Sequence, residues 1–303
     1  MKPRPAPLQL HRPLLRWYRR RGRDLPWRRT RNPYAILVSE VMLQQTQVSR
    51  VLVKFPDFMA LFPSIHRLAA APQRDVVTAW QGMGYNNRAV RLHRLARLVV
   101  EHHGGAIPST VSGLQSLPGI GRYSAHAVLA FAFRRPVPVV DVNVRRVLSR
   151  ILWRMTGKSP LPSEEETWQA AGEYLPRRFA YEWDQALMDL GATVCMARAP
   201  RCSVCPVGPT CLSFGATGVS GRRNRRPEPS WNGIPNRIMR GRIVEALRTR
   251  PRGVPLHRLG SLIAENYRKS EVARLSRLVA ALADDGLVRV SGRQPSTQRV
   301  SLA

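Results

Sequence analysis

Apolar positions recur at three- and four-residue intervals along most of the stretch from about Leu14 to Phe214. That is the period of amphipathic helices, and strand-like alternation is scarce there. Short proline and glycine punctuation breaks the pattern at Asn32-Pro33, Phe62-Pro63, Gly82–Gly84, Gly104–Pro108 and Pro118–Gly121. A long helix is predicted over Pro33–Phe55, with Asn32 as cap and Pro33 in its first turn. Gly215–Asn236 is rich in Gly, Arg, Pro and Ser, includes Gly221-Arg222-Arg223-Asn224-Arg225-Arg226-Pro227, and reads as a basic linker. Beyond it, Ile238–Leu247, Leu256–Glu265 and Ser270–Asp284 carry helical spacing, the last with Val272, Leu275, Leu278, Val279 and Leu282 on one side. Asp285-Gly286 stops that helix, and Leu287–Ser291 and Gln298–Leu302 alternate like two strands of a hairpin. There is no internal repeat and no coiled-coil pattern.

The chain is thus predicted to be mainly α, with a helical domain over 14–214, a linker over 215–236 and a small α+β domain over 237–303. Three helices followed by a hairpin resemble a winged helix. In one reading its third helix enters the DNA major groove, with Arg268, Lys269, Arg274 and Arg277 available for phosphates. In the other the domain binds protein and touches no DNA.

Composition narrows the class of partner. The 303 residues suit one large or two smaller domains, and 44% hydrophobic content is enough for a sizeable core. The net charge of +30 points to a polyanion, because arginine and lysine gain affinity by displacing counterions from phosphate. The excess is almost all arginine: the only lysines are Lys2, Lys54, Lys158 and Lys269. Genomic base composition is another source of such a bias. No apolar run approaches membrane-spanning length, and Met1–Trp17 lacks the continuous apolar stretch of an export signal. The expectation is a cytoplasmic monomer, associated with the nucleoid through double-stranded DNA.

All four cysteines fall in one loop as C-x6-C-x2-C-x5-C: Cys195, Cys202, Cys205 and Cys211. Four thiolates in a short loop suit an iron–sulfur cubane. Two disulfides would suit a secreted chain. Zinc usually takes two C-x2-C hooks, whereas here only Cys202 and Cys205 form one.

Other segments carry chemistry. Leu117-Pro118-Gly119-Ile120-Gly121 lies between a helix ending near Ser116 and one starting at Arg122. Glycines at both turn positions permit left-handed angles and let amides face a DNA phosphate, although an ordinary helix–helix turn has the same composition. Asp141, in Val139-Val140-Asp141-Val142-Asn143-Val144-Arg145-Arg146, ends an extended apolar stretch and opens a helix. An N-cap there would hold the carboxylate ionised, the state that stabilises a cationic sugar. Glu40 interrupts the apolar run Ala35–Leu43. If buried, it would stay protonated near neutrality, as a general acid requires; a solvated glutamate is the plainer alternative. Gln44, Gln45, Thr46 and Gln47 supply polar groups suited to base edges. In Gly82-Met83-Gly84-Tyr85-Asn86-Asn87-Arg88, the apolar residue and the aromatic would either wedge into a base stack or belong to the core.

Together these segments resemble the helix-hairpin-helix/Gly-Pro-Asp DNA glycosylase superfamily, and within it the MutY-type adenine DNA glycosylases. The resemblance covers roughly Leu14–Phe214 and rests on Leu25-Pro26-Trp27-Arg28, Ser39–Val48, Gly82–Tyr85, Leu117–Ala125, Val139–Val147, Gln185–Ala192 and the cysteine loop. It implies a glycosylase acting in base excision repair on adenine mispaired with 8-oxoguanine or guanine. Glu40 would be the acid that protonates adenine N7, and Asp141, with Asn143 beside it, the carboxylate that stabilises the oxocarbenium-like sugar. Tyr123 stands where lyase-type relatives carry a Schiff-base lysine, so a phenol that cannot form an imine occupies that position. Gln44 would bind DNA and Gln45, Thr46 and Met83 would contact the opposite purine, with Tyr85 as wedge and Gly119 and Gly121 on the backbone. Arg23, Arg28 and Gln185 would surround the extruded adenine. The four cysteines would hold a [4Fe-4S] cluster, far in sequence from the catalytic pair, and fold a loop that offers Arg198 and Arg201 to phosphates.

Two departures stand out. Val142 follows Asp141 where the family commonly has glycine, and residues 237–303 are too short and too helical for the Nudix-like domain of many relatives. Two other functions fit less of the chain. One is a thymine, uracil or other damaged-base glycosylase of the same fold; the other is a non-catalytic winged-helix regulator with a redox-sensing cluster.

Overall fold

In a computed structural model, residues 3–155, 162–216, 228–292 and 297–303 are described. The basic run Gly221–Pro227, the heart of the expected linker, lies outside the described residues together with the rest of 217–227. The helices are α1 (Pro7–Arg21), α2 (Pro33–Leu43), α3 (Val48–Leu61), α4 (Ile65–Ala70), α5 (Gln73–Ala79), α6 (Asn87–His103) and α7 (Val111–Gln115). They continue with α8 (Arg122–Phe131), α9 (Val142–Leu152), α10 (Glu164–Glu173) and α11 (Ala180–Thr193). After these come β1 (Ser230–Trp231), β2 (Ile234–Pro235), α12 (Asn236–Arg248), β3 (Val254–Pro255), α13 (Leu256–Ile263), α14 (Val272–Asp284), β4 (Val288–Ser291) and β5 (Arg299–Leu302). The chain is mainly helical, as its periodicity predicts.

It divides into two compact units. The first comprises Met1–Leu37, Ser109–Ser116 and Ile120–Asn224; the second Val38–Pro108, Leu117–Gly119 and Arg225–Ala303. In the first, α1, α9, α10 and α11 bury one apolar cluster that includes Leu10, Leu14, Val144, Leu148, Trp183 and Leu187. Cys195, Cys205 and Cys211 pack against this cluster, so the cysteine loop is joined to the core. Side-chain caps place the helix starts: Ser163 with Glu166 forms a capping box at α10, and Thr110 caps α7.

In the second unit, α6 buries Ala89, Leu92, Ala96 and Val99 at helical spacing, and ends on Gly104 in the left-handed region. Phe58 of α3 meets the indole of Trp80 edge-on at 5.7 Å, and both are buried. The C-terminal part has the winged-helix order of helix, strand, two helices and hairpin, with an antiparallel sheet ordered β3-β5-β4. Its core holds Met239, Ile243, Leu247, Leu259, Leu275 and Val300.

Three local differences from the sequence reading have physical causes. The helix expected over Pro33–Phe55 is two helices, broken at Gln44–Gln47 where Gln45 takes a φ of 57°. The expected strand pair is joined by β3, too short a strand for alternation to reveal. Within 215–236, β1 and β2 pair and bury Trp231, whose indole N–H donates to Glu271 at 2.7 Å.

Candidate functional site

Glu40 sits in the last turns of α2 and is only 4% exposed, so the buried alternative for this carboxyl is the one the structure takes. Just beyond it the helix ends, and one arginine organises the loop that leads to α3. Arg88, at the start of α6, is buried. Its Nη1 donates to the carbonyl oxygens of Val41 and Met42, both at 2.9 Å, and to that of Gln44. Its Nη2 donates to Thr46 Oγ1 at 2.9 Å and to the carbonyls of Met83 and Gly84, both at 3.1 Å. A guanidinium thus serves the exposed carbonyl end of α2, a place where cations are favoured. The same group ties the Gln44–Thr46 loop to the Gly82–Tyr85 turn. Burial pushes Arg88 down to about 10, with Tyr85 opposing the shift, which leaves it cationic at neutral pH.

The turn itself is a run of left-handed residues: Gly82 at φ 82°, Gly84 at 68° and Tyr85 at 44°. Trp80 closes it by donating its indole N–H to the Gly84 carbonyl at 3.2 Å. The two side chains expected as a wedge part company. Tyr85 is 50% exposed, whereas Met83 is 2% exposed and belongs to the core side of the turn. Gln45 is exposed, and Gln44 and Thr46 are half-buried. Sequence reading missed Arg88 as a functional position. The available signal was its phase: it shares the buried stripe of α6 with Leu92, Leu95 and Val99.

Asp141 belongs to the first unit and Glu40 to the second. The N-cap expected of Asp141 is present. Its Oδ1 accepts from the backbone N–H groups of Asn143 at 2.9 Å and Val144 at 2.6 Å, and its Oδ2 accepts from Asn143 Nδ2 at 2.8 Å. Val142, the departure from the family pattern, is 79% exposed, so its isopropyl group displaces nothing in the core. The hydrogen bonds continue past Asn143, whose Oδ1 accepts from Arg146 Nη2 at 2.9 Å. Arg146 also donates to the carbonyls of Cys195 at 2.9 Å and Gly191 at 2.7 Å. One turn on, Arg150 donates to Cys195 Sγ at 3.3 Å and to the carbonyls of Met196 at 2.8 Å and Ala197 at 2.9 Å. The cysteine loop, remote from Asp141 in sequence, is therefore fastened to the helix that Asp141 caps.

All four cysteines are free thiols and line one cavity beneath α9 and α11. Among the described residues no three His, Cys, Asp or Glu side chains converge on a single-ion site. Burial pushes the Cys205 thiol up to about 11 and the Cys211 thiol to about 12, so a metal is what would draw them into the thiolate form. Four sulfur donors around a shared cavity, with arginine donors facing them, fit a polynuclear sulfur-ligated group. Arg198 is exposed on this loop, and Arg201 donates to the Thr193 carbonyl at the end of α11.

Arg23 and Arg28 converge, with Asp189 of α11 between them. Arg28 donates to both carboxylate oxygens, at 2.7 and 2.9 Å, and Arg23 does so through Nε at 2.7 Å and its backbone N–H at 2.8 Å. Burial, the largest single influence, would raise the Asp189 pKa, but the hydrogen bonds and charges of Arg28 and Arg23 together outweigh it and hold the carboxyl below its usual value. Gln185, one turn earlier on α11, is buried. Beside it, Asp184 is also buried; it accepts from the Val139 N–H at 3.3 Å and leaves its second oxygen without a hydrogen-bond partner. Burial pushes its pKa well above the ordinary carboxyl value. Neither aspartate was singled out from the sequence, because aspartate at helical spacing usually signals a solvated face.

In the LPGIG turn the two glycines do different work. Gly119 is exposed at φ 84°, whereas Gly121 is extended at φ −92° and precedes α8 as its cap. Only Gly119 needs the left-handed freedom expected of both. Tyr123 is half-buried in the first turn of α8.

The family model described as HhH-GPD superfamily base excision DNA repair protein matches residues 38–173. The adenine DNA glycosylase of Mycobacterium tuberculosis (strain CDC 1551 / Oshkosh) is 42% identical over 237 residues, covering 78% of this chain and 77% of the relative. That of Mycolicibacterium smegmatis is 39% identical over 277 residues, 91% of each chain. Among solved structures, a thermostable thymine-DNA glycosylase is similar with a TM-score of 0.62 and 28% identity, over 67% of this chain and 94% of that one.

Proposed function

As the chain belongs to the adenine DNA glycosylases of the helix-hairpin-helix base excision repair superfamily, we propose that it removes adenine mispaired with 8-oxoguanine or guanine in double-stranded DNA, by hydrolysis and without a lyase step. The observation that carries this reading is Glu40, a carboxyl withdrawn from solvent at 4% exposure and followed directly by the Gln44–Thr46 loop. Glu40 gives a proton to adenine N7 as the C1′–N9 bond breaks and its electron pair leaves with the base. The Asp141 carboxylate, oriented by three hydrogen bonds, faces the cationic sugar, and water adds at C1′ to leave an abasic site. Extrusion of the adenine is assigned to Tyr85, the exposed member of the turn, and Gln185 is assigned to its pocket; Arg23, like Arg28, is held by Asp189. Arg28 acts through Asp189, to which its guanidinium is committed.

No lysine falls close in sequence to the hairpin, and Tyr123 cannot form an imine, which supports a reaction that stops at base removal. Cys195, Cys202, Cys205 and Cys211 are assigned as the ligands of a [4Fe-4S] cluster, which when bound would hold the loop folded and present Arg198 to phosphate. Among the described residues no helix is long and apolar enough to cross a membrane.

Single-turnover assays on A:8-oxoguanine and A:G duplexes test the reading, with T:G and U:G duplexes in the same panel. Wild type should yield abasic product only from the adenine mispairs, and Glu40→Gln and Asp141→Asn should lose at least about a hundredfold in rate. Full activity in Glu40→Gln refutes the acid assignment. Preferential excision of T or U would favour the thymine-type reading, which the similar thymine-DNA glycosylase structure keeps in view.

A further inference from the structure

In the first unit, α1 carries Arg12, Arg16, Arg19, Arg20 and Arg21 and no acidic residue. Arg12, Arg16 and Arg20 stand four residues apart, a spacing that puts them on one face and makes like charges repel. The single helical turn Arg177–Phe179, which leads into α11, lines the same groove as that face and adds Arg177 and Arg178. The groove holds about 670 Å3. Its apolar part is Leu15, 7% exposed, with Leu8 and Phe179 standing 69% and 38% exposed. One charge of the lining is already taken, since Arg19 pairs with Glu182 at 2.8 Å. Arg12, Arg16, Arg20, Arg177 and Arg178 are exposed and meet no carboxylate among the described residues.

That lining selects among anions. It consists of guanidiniums, apolar side chains and His11, whose ring meets the Tyr174 carbonyl at 2.8 Å and the Trp183 ring edge-on. Besides His11, no side chain of the lining can accept a hydrogen bond from a base edge. The guanidiniums of Arg19 and Arg178 each lie over the Phe179 ring at 5.5 Å and compete there with a stacked base. Carboxylates, in contrast, suit the unpaired guanidinium forks, and the exposed leucine and phenylalanine suit an apolar side chain carried between those carboxylates. We propose that this groove docks an extended acidic segment of a partner protein, with an apolar side chain of that segment set against Leu8, Leu15 and Phe179. Recognition of an acidic motif by an arginine cluster needs neither Glu40 nor Asp141, so the proposal stands whichever base the chain removes.

The probe is a fluorescent peptide with blocked ends, Asp-Asp-Phe-Asp-Leu-Asp, titrated with full-length protein by anisotropy at about 0.15 M salt. Arg12→Gln/Arg16→Gln on α1 and Arg177→Gln/Arg178→Gln before α11 should each weaken binding at least about tenfold, since each removes two charge-assisted contacts. The two pairs lie on different elements, so a folding defect in one, read by urea unfolding, leaves the other to decide. Peptides with asparagine for every aspartate, or serine for the phenylalanine and leucine, should also bind at least about tenfold more weakly. A comparison variant, Lys269→Gln/Arg277→Gln, removes exposed cations of the second unit and should keep wild-type affinity for the peptide. Failure of the wild type to bind the acidic peptide, or wild-type affinity in both arginine pairs, overturns the proposal. Equal binding of the serine peptide would also overturn it, by making the groove a general anion surface. So would tighter binding of a thymidine strand of the same net charge, lost in the same variants, which would reassign the groove to nucleic acid.

Discussion

Replacing Arg88 with methionine removes the one cation that serves six acceptors on two loops. Hydrogen bonds to charged groups contribute about 1.5–3 kcal/mol each, but six bonds from one guanidinium are not additive. Removing one side of a buried charged network costs about 3–5 kcal/mol, chiefly through the carbonyls left unpaired. Part of that loss returns as relieved strain, since the left-handed backbones of Gln45 and Tyr85 cost about 1–3 kcal/mol each. Net destabilisation of about 2–4 kcal/mol is expected, a large fraction of the 5–15 kcal/mol that holds a typical domain. The relaxed loops must then be reordered on DNA. At about 2 kcal/mol that reordering weakens binding about thirtyfold. Urea unfolding reads the first number and fluorescence anisotropy on a mispaired duplex the second. Arg88→Lys keeps the charge but offers three donors from a point, and should recover only part of both. Stability within 1 kcal/mol of wild type together with DNA affinity within about threefold would refute the claim that Arg88 holds the two loops.

Gly191→Ala should disturb Asp141 from a distance, because an added Cβ would lie 2.7 Å from Asn143 Cβ; a single-turnover rate equal to wild type would show that the Asn143 contact does not matter. Asp189 has a folded pKa below its unfolded value, so the stability it adds is present above about pH 3.9 and lost as pH falls through the folded pKa. Asp189→Asn should thus be less stable than wild type near neutrality, the gap closing on acidification in urea melts at stepped pH. Asp184 is the opposite case: its folded pKa is raised, so wild type loses stability as pH rises from about 3.9 through the folded value. Asp184→Asn should match wild type at low pH and exceed it at high pH, and parallel pH profiles for the two proteins would count against a buried neutral carboxyl.

The two carboxyls that carry the proposed reaction were legible in the sequence because each broke a local pattern. Glu40 interrupts an apolar run, and Asp141 stands where an extended stretch becomes a helix. The cysteine loop was legible by composition alone. Long-range pairing stayed hidden: nothing in residue order links Asp141 to Cys195, yet the side chains of Asn143 and Arg146, both on α9, bridge them through three hydrogen bonds. The break after Leu43 was hidden for the same reason, since the group that stabilises it lies on another helix.

Arginine is where this chain misleads most. With a net charge of +30, any single arginine reads as part of a phosphate-binding surface. Several are nothing of the kind. Arg28 is spent on Asp189, Arg88 on the carbonyl end of α2, Arg150 on the cysteine loop and Arg248 on the carbonyls of α5. Each replaces what an apolar residue or a cap would otherwise supply, using a planar fork of five donors that lysine cannot match. The preference for arginine over lysine at these positions has a structural reason beside base composition, because a guanidinium offers five donors in a planar fork where an ammonium offers three from a point. The charge that remains for DNA is smaller than the total and more localised. It is carried by exposed groups such as Arg50 and Arg198. The salt slope of duplex binding should accordingly report the phosphates met by those groups, far fewer than the net charge would suggest.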